Sequence, residues 1–185
     1  MEIIKYCIQC GSNVELKIPI NEERERAVCV NCSYIHYQNP RIVVCTITVD
    51  NQKILLAKRN IEPRKNFWTL PGGFLEMNES PEAGAKRETE EETYCQIDII
   101  RPFSMIMAMT GEQVHIFYLA KLRIFSDQPT AESSQVKMFN YNEIPWSELS
   151  FLTVKATLEQ YLSNPNHLGV ICGKFNNQKQ FIRSI

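Results

Sequence analysis

Four cysteines near the start of the chain restrict its fold more than any other feature. Cys7, Cys10, Cys29 and Cys32 follow the pattern C-x2-C-x18-C-x2-C, which two metal-binding turns produce and unrelated cysteines rarely show. Four thiolates at this spacing can close a tetrahedron around Zn²⁺, and such a site has no position for a substrate. The spacing therefore predicts a structural zinc ribbon, which we assign to residues 1–37.

The composition is that of a soluble globular protein. The formal net charge of the 185 residues is −1, which disfavours nonspecific binding to nucleic acid and other polyanions. The first residues, MEIIKYCIQC, lack a basic segment followed by an apolar run, and no apolar stretch approaches the roughly 20 residues that span a bilayer. We therefore expect a cytoplasmic protein with neither a membrane nor a nucleic-acid partner.

The predicted ribbon depends on its metal. It buries too little apolar surface to fold alone, whereas structural zinc binding supplies on the order of 10 kcal/mol. Gly11 and Asn31 are turn-forming residues beside the cysteine pairs. Two disulfides or a redox pair are the alternative, and they suit a cytoplasmic chain poorly. We expect the remaining thiols, Cys45, Cys95 and Cys172, in the core.

The pattern changes near Asn39 and Pro40, and we assign residues 38–185 to a second domain. The β-branched segment RIVVCTITVD, a two-residue turn and KILLAKR predict a β-hairpin. Further strand-like segments follow, and apolar residues at helical spacing between 149 and 162 predict a late helix. Together with one earlier helix, this pattern predicts an α+β domain.

The earlier helix lies in a segment that concentrates like charge. Eight of the fifteen residues 78–92 are charged, and six of these are Glu. Ser80 suits an N-cap and Pro81 suits the first helical position, so we predict a helix from Pro81 to about Thr93. Like charges on one face of an exposed helix destabilise it by about 0.2 to 0.5 kcal/mol per pair. A reason for the charge is therefore needed.

A metal site supplies that reason. On the predicted helix Glu88 shares one face with Glu91 and Glu92. Acidic runs are most often solvated helix faces, and charge alone leaves that alternative open. Gly72 and Gly73, however, allow a loop backbone to come close to the helix. Clustered carboxylates suit a hard cation, above all Mg²⁺, which prefers oxygen ligands and bridges to phosphates.

This segment resembles the Nudix box, G-x5-E-x7-R-E-U-x-E-E-x-G-U, in which U is aliphatic. The sequence departs from the pattern where Thr89 replaces an aliphatic residue and where Tyr94 replaces the glycine after the helix. A left-handed conformation there costs Tyr more than Gly. The six fixed residues that match are Gly73, Glu79, Arg87, Glu88, Glu91 and Glu92.

The resemblance implies a Nudix α/β/α sandwich of a mixed sheet with flanking helices, and hydrolysis of a diphosphate linked to another moiety. It implies that Glu79 and Arg87, which we expect to pair, orient the ligands of a catalytic Mg²⁺ or Mn²⁺. A box glutamate, Glu132 or Glu112 would be the general base, and we favour Glu132, which precedes the segment VKMF. The implied metal ligands are Glu88, Glu91, Glu92 and the carbonyl of Gly72.

A zinc ribbon before a Nudix domain resembles two groups. The NADH pyrophosphatases carry S-Q-P-W-P-F-P after the box, whereas this chain reads RPFSMIMAMTGEQ, which disfavours that group. Members of the other group resemble ADP-ribose or FAD pyrophosphatases, and their sequences are similar to this chain over most of residues 5–160. The proline that marks ADP-ribose enzymes is missing here, where the chain has Thr110 and Gly111. We therefore expect AMP and a phosphorylated moiety as products, with Mg²⁺ as catalytic and Zn²⁺ as structural metal.

Several residues before the box are candidates for substrate binding. Arg59 and Arg64 suit phosphates, and Phe67 or Trp68 could stack on adenine or flavin, with Gly72 and Gly73 close by. Trp68 and Leu70 alternate as in a strand, so a place in the core is the alternative for them.

A non-catalytic ligand sensor or binding module is the alternative to an enzyme. Such sensors often lack the box carboxylates, whereas this chain retains all of them. An NADH or RNA-cap pyrophosphatase is the alternative substrate class. Related hydrolases are often homodimers, and we expect one here. The C-terminal segment, residues 164–185, suits an extra strand or a dimer element, and the three histidines form no pattern.

Overall fold

The computed structural model describes residues 4–183, and the chain divides into two compact units, Met1–Pro40 and Arg41–Ile185. The first unit is a three-stranded antiparallel sheet in the order β1-β2-β3. One cysteine pair precedes the first strand, and the other begins at the end of the second. The strands are β1 Val14–Lys17, β2 Arg26–Cys29 and β3 Ile35–His36.

The second unit is built around a mixed sheet of nine strands. The elements in chain order are β4 Arg41–Asp50, β5 Lys53–Arg59, β6 Trp68–Thr69, β7 Gly72–Phe74, α1 Pro81–Thr93, β8 Gln96–Met107, β9 Gln113–Ile124, β10 Ser133–Asn140, α2 Leu152–Ser163, β11 Ile171–Phe175 and β12 Phe181–Arg183. The strand order in the sheet is β10-β5-β4-β9-β8-β11-β12, with β6 beside β5 and β7 beside β4; the pairs β4–β9 and β8–β11 are parallel.

Alternation along β4 places the two helices on opposite faces of this sheet. Val44 packs with Ala85 of α1 in one cluster, whereas Ile47 belongs to the main core with Val154 and Leu158 of α2. Successive side chains of a strand point to opposite faces, so helix, sheet and helix form three layers. The predicted α/β/α sandwich in an α+β chain is confirmed.

The predicted hairpin is present but short. The pairs Val49–Ile54 and Asp50–Lys53 join β4 and β5, and Asn51 and Gln52 between them both have positive φ, 45° and 60°. Two left-handed residues are what a tight hairpin turn requires. Further from the turn the two strands part, and there β7 pairs with β4 and β6 pairs with β5.

Predictions for single buried residues have mixed outcomes. Trp68 and Leu70 are in the main core, as the alternative for them proposed. Cys45 and Cys95 are buried, but Cys172 is exposed, so the prediction of a core thiol there is wrong. On β11 burial alternates, and residue 172 falls on the exposed side. The C-terminal segment supplies the extra strands β11 and β12.

Within residues 4–183, no helix has the length and apolar character to cross a membrane.

Candidate active site

The sulfur atoms of the four N-terminal cysteines form one compact cluster. Their Sγ atoms all lie within 4.8 Å of one another, and Cys7–Cys32, Cys10–Cys29 and Cys10–Cys32 are 3.7, 3.5 and 3.6 Å apart. Sulfurs bound tetrahedrally to Zn²⁺ at about 2.3 Å lie roughly 3.8 Å from one another. The sulfur positions therefore fit a four-thiolate zinc ion.

Both cysteine turns have the same backbone design. The N–H groups of Gln9 and Asn31 donate to the first sulfur of their turn, each at 3.4 Å. The residue after each second cysteine is left-handed, with φ of 72° at Gly11 and 59° at Ser33. Gly11 therefore has the role that its type indicates, whereas in the second turn the positive φ falls on Ser33, and Asn31 contributes hydrogen bonds instead.

Helix α1 has the predicted ends. The Ser80 hydroxyl accepts a hydrogen bond from the Ala83 N–H at 3.2 Å, and Pro81 opens the helix. At the other end Tyr94 adopts the left-handed conformation, with φ of 53°, and its N–H donates to the Glu90 carbonyl at 2.8 Å. Tyr94 therefore makes the left-handed turn after the helix that glycine makes in the box pattern, and its side chain is exposed.

The second departure from the box is compensated by hydroxyl groups on the sheet. Thr89 is fully buried, and its Oγ1 donates to the Ala85 carbonyl at 2.8 Å. The same oxygen lies 2.8 Å from Oγ1 of Thr46 on β4, which in turn lies 3.0 Å from Oγ1 of Thr48. A buried hydroxyl is tolerated when it is hydrogen-bonded. The three threonine hydroxyls therefore form a row of hydrogen bonds where an aliphatic side chain at position 89 would make an apolar contact.

Arg87 connects the loop before α1 to the carboxylates of the helix. Its Nη2 and Nε donate to the two oxygens of Glu79 at 2.7 and 3.0 Å, so the predicted pairing is present. Its Nη1 donates to Glu88 at 2.8 Å and to Glu91 at 3.2 Å. The hydrogen bond from Arg87, with a second from the Glu76 N–H, lowers the pKa of Glu79 to about 2. Arg87 thereby fixes Glu79 and Glu88.

Two glycines let β7 approach the helix. A Cβ on Gly73 would overlap the Glu88 carboxylate, with the Cδ atom 2.5 Å away, so only glycine leaves room for it. The N–H of Gly72 donates to Oε2 of Glu92 at 3.0 Å. The main chain therefore holds Glu92 from one side.

Glu88 and Glu92 line a cleft of about 850 Å³ together with Glu132, which directly precedes β10. Burial raises the pKa of Glu92 to about 7, against the opposing Gly72 hydrogen bond, and the charges of Glu88 and Glu132 add to the shift. Burial likewise raises the pKa of Glu88, with smaller contributions from Glu91 and Glu132. These carboxylates repel one another in a partly desolvated site, which a cation would relieve.

The remaining predicted residues divide between the cleft and its surroundings. Arg59, Arg64, Gly72 and Gly73 line it. Phe67 lies under the Arg64 guanidinium, with 5.4 Å from Cζ to the ring centroid. Of the two general-base candidates outside the box, Glu132 lines the cleft, whereas Glu112 lies at the turn between β8 and β9. Glu91 faces a separate shallow groove shared with Arg87 and Tyr94.

The sequence did not indicate His115 and Thr153, which also line the cleft. The Thr153 hydroxyl lies 2.9 Å from Nδ1 of His115, whose Nε2 lies 3.0 Å from Oε1 of Gln113. Burial lowers the pKa of His115 to about 4, so the ring is neutral at pH 7. No local signal could have found this pair, because it joins the middle of the sheet to α2.

Comparison with known proteins agrees with this geometry. The family model described as NUDIX domain matches residues 38–159, and the model described as Nudix N-terminal, a zinc ribbon, matches residues 5–38. The chain belongs to the Nudix family. The prediction of a Nudix hydrolase family member with a zinc ribbon is thereby confirmed.

Individual relatives differ in name and in extent. A Nudix hydrolase from Nitrosomonas europaea is 37% identical, with a TM-score of 0.83, over 91% of this chain and 99% of that one. The NAD-capped RNA hydrolase NudC of Vibrio vulnificus is 27% identical over 88% of this chain, which spans 61% of that relative's length. The ADP-ribose pyrophosphatase of Methanocaldococcus jannaschii is 43% identical over 32% of this chain and 36% of its own length.

Proposed function

We propose that this Nudix protein hydrolyses the diphosphate linkage of a nucleoside diphosphate derivative such as ADP-ribose or FAD, with Mg²⁺ or Mn²⁺ as cofactor. The observation that carries the proposal is the meeting of Glu88, Glu92 and Glu132 in one cleft that also presents Arg59. Acidic side chains that repel one another and face a guanidinium suit a cation together with a phosphate.

The box residues divide the work on this proposal. Glu88 and Glu92, with the Gly72 carbonyl, would hold the cation in the cleft. Glu91, which pairs with Arg87 outside the cleft lining, would join them by a change of side-chain rotamer, and Glu79 acts through Arg87 to position Glu88. When bound, the cation neutralises the diphosphate and lowers the pKa of a bound water. The donor set fits such a cation, because it consists of carboxylate and carbonyl oxygens.

Glu132 is the proposed general base. It lies on a different element from the box, and its charge acts on both Glu88 and Glu92. It would accept a proton from the attacking water and keep that water oriented towards the phosphorus. Arg59 and Arg64 would contact the phosphate oxygens.

The experiment measures AMP release from ADP-ribose and FAD with and without Mg²⁺. We expect Mg²⁺-dependent AMP release that Glu92→Gln lowers at least 100-fold. Glu90→Gln is the matched control, because Glu90 lies on the same helix, pairs with Lys86 at 3.9 Å and belongs neither to the cleft lining nor to the proposed ligand set. If the protein binds these compounds without releasing AMP, and Glu92→Gln leaves the binding unchanged, the protein is instead a ligand sensor.

The relatives named NAD-capped RNA hydrolase favour a second candidate. NADH and an NAD-capped RNA therefore belong in the same assay, and cleavage of either at a higher kcat/KM than ADP-ribose or FAD would replace the first candidate. The missing S-Q-P-W-P-F-P array argues for the first. The absence of a nucleic-acid partner remains a prediction. The homodimer also remains a prediction, and light scattering, which gives the mass of the protein in solution, tests it.

A further inference from the structure

The start of α2 forms part of the cleft wall. Residues 149–153 line the cleft in an unbroken run, and the helix begins at Leu152 after the N-cap Phe151. Phe cannot cap, and among residues 4–183 no other side chain caps this end. The first hydrogen bond within the helix runs from the Lys155 N–H to the Phe151 carbonyl. The N–H groups of the first turn are therefore free donors beside the cleft.

Ser150 gives a second, independent sign of a ligand. It lies one residue before the N-cap, lines the cleft and is 4% exposed. Within the described chain its Oγ is one of two buried side-chain atoms without a hydrogen-bond partner. A buried hydroxyl in that state is unfavourable, and most such groups have a partner. Staggered χ1 rotamers allow the hydroxyl to turn to a ligand without moving the backbone.

Two basic side chains lie beside this helix start, while Glu62, Glu88, Glu92 and Glu132 line the same cleft. The Arg59 guanidinium lies over the Phe151 ring, with 5.2 Å from Cζ to the centroid. Lys155 lines the cleft one turn into the helix, and the first turn has no acidic residue. The positive end of the helix dipole adds to these charges. Hydrogen-bond donors and positive charge together fit an oxyanion.

We propose that Ser150 and the first-turn N–H groups of α2, beside Arg59, form a phosphate-binding subsite of the cleft. It would take a phosphate monoester distinct from the diphosphate at Glu88 and Glu92, for which a cleft of about 850 Å³ has room. The substrate that carries this phosphate rests on the proposed function, whereas the subsite itself does not. A phosphate carried by the substrate and free inorganic phosphate are the two possible sources.

The first experiment titrates the zinc-loaded full chain with inorganic phosphate in a buffer that contains neither Mg²⁺ nor Mn²⁺, so that no cation at the box attracts the anion. We expect saturable NMR shifts of the backbone amides of residues 152–154. Ser150→Ala should raise the Kd at least threefold, whereas the control Ser147→Ala, an exposed serine outside the cleft lining, should leave it unchanged. Absent shifts, or equal affinity in Ser150→Ala, would overturn the subsite.

Stability separates this role from a structural one. Removing a hydroxyl that lacks a partner should leave the Tm of Ser150→Ala equal to or above that of the wild type. A Tm lowered by several degrees, with phosphate affinity unchanged, would identify a structural serine and contradict the proposal.

The second experiment identifies the source of the phosphate. The KM of ADP-ribose is compared with that of its 2′-phosphorylated derivative in Mg²⁺. A KM at least fivefold lower for the phosphorylated compound, lost in Ser150→Ala, would assign the subsite to the substrate. Equal KM values with saturable phosphate binding would assign it to free phosphate. If neither compound is hydrolysed and FAD is not either, the proposed function fails, and the phosphate titration still decides on the subsite.

Discussion

The contact between Gly73 and Glu88 permits a substitution that separates activity from stability. A Cβ at residue 73 would lie 2.5 Å from Cδ of Glu88. Carbon atoms in contact normally lie about 3.5 Å apart or more, so the carboxylate must move by about 1 Å. A misplacement of this size in a catalytic site can cost about 100-fold in rate. Because the group that moves is the end of a flexible side chain, Gly73→Ala should lose at most about 1 kcal/mol of unfolding free energy.

The neighbouring glycine is the matched comparison. A Cβ at Gly72 would lie 2.6 Å from Cα of Cys45 and would also overlap the Val44 carbonyl oxygen. These are backbone atoms of β4, whose residues here are buried, and they cannot move aside cheaply. We therefore expect Gly72→Ala to lose about 3 kcal/mol of unfolding free energy, the upper part of the range for overpacking.

Two measurements test this pair. Urea unfolding gives the loss of stability, and Mg²⁺-dependent release of AMP from ADP-ribose gives kcat. We expect Gly73→Ala to be folded and nearly inactive, and Gly72→Ala to be clearly destabilised. A Gly73→Ala protein with wild-type kcat would refute the reasoning, because the position of Glu88 would then not matter for the reaction.

Three further predictions concern stability. Because burial lowers the pKa of His115 from 6.5 to about 4, the folded state loses about 2 kcal/mol between pH 7.5 and pH 5; urea unfolding of His115→Gln at both pH values should show a correspondingly smaller loss. Thr89→Val alone should cost about 1 to 2 kcal/mol, and less when Thr46→Val is added, as a double-mutant cycle would show. Zinc chelation should abolish the NMR signal dispersion of residues 4–40 and preserve that of residues 41–183.

The sign of the histidine prediction follows from proton binding. The unfolded state binds a proton at His115 near pH 6.5 and the folded state only near pH 4. Acidification therefore favours unfolding across that interval, and the stability is complete above it. Equal pH dependence in the wild type and His115→Gln would contradict the burial of a neutral ring.

Local signals account for the parts of the molecule that the sequence predicted well. The ends of α1 follow from Ser80, Pro81 and the position of the box, because capping depends on residues within a few positions of each other. The cysteine turns follow from their two-residue spacing for the same reason. Exposure of Cys172 was not predictable in this way, since it depends on which neighbours cover each side of an edge region of the sheet.

Contacts between distant elements were beyond such signals. Arg59 was predicted as a phosphate ligand from its type, but its position over Phe151 requires β5 and the start of α2 to meet. In the sequence Glu132 is one of several candidates for the general base. The pairing of β10 with β5 places it at the cleft. A residue type limits the chemistry that is possible, whereas the topology decides which groups can take part.

The departures from the box at Thr89 and Tyr94 show why its pattern tolerates change at some positions. Thr89 lies on α1 and Tyr94 is its C-cap; the Thr89 hydroxyl is hydrogen-bonded to Thr46 on the sheet, and Tyr94 itself adopts the left-handed backbone conformation. Neither residue lines the cleft, so both substitutions leave the lining of the site unchanged. Gly73 has no such freedom, because its missing Cβ is the space that the Glu88 carboxylate occupies. Positions of the box that define the shape of the site should thus be less replaceable than those that only support the helix.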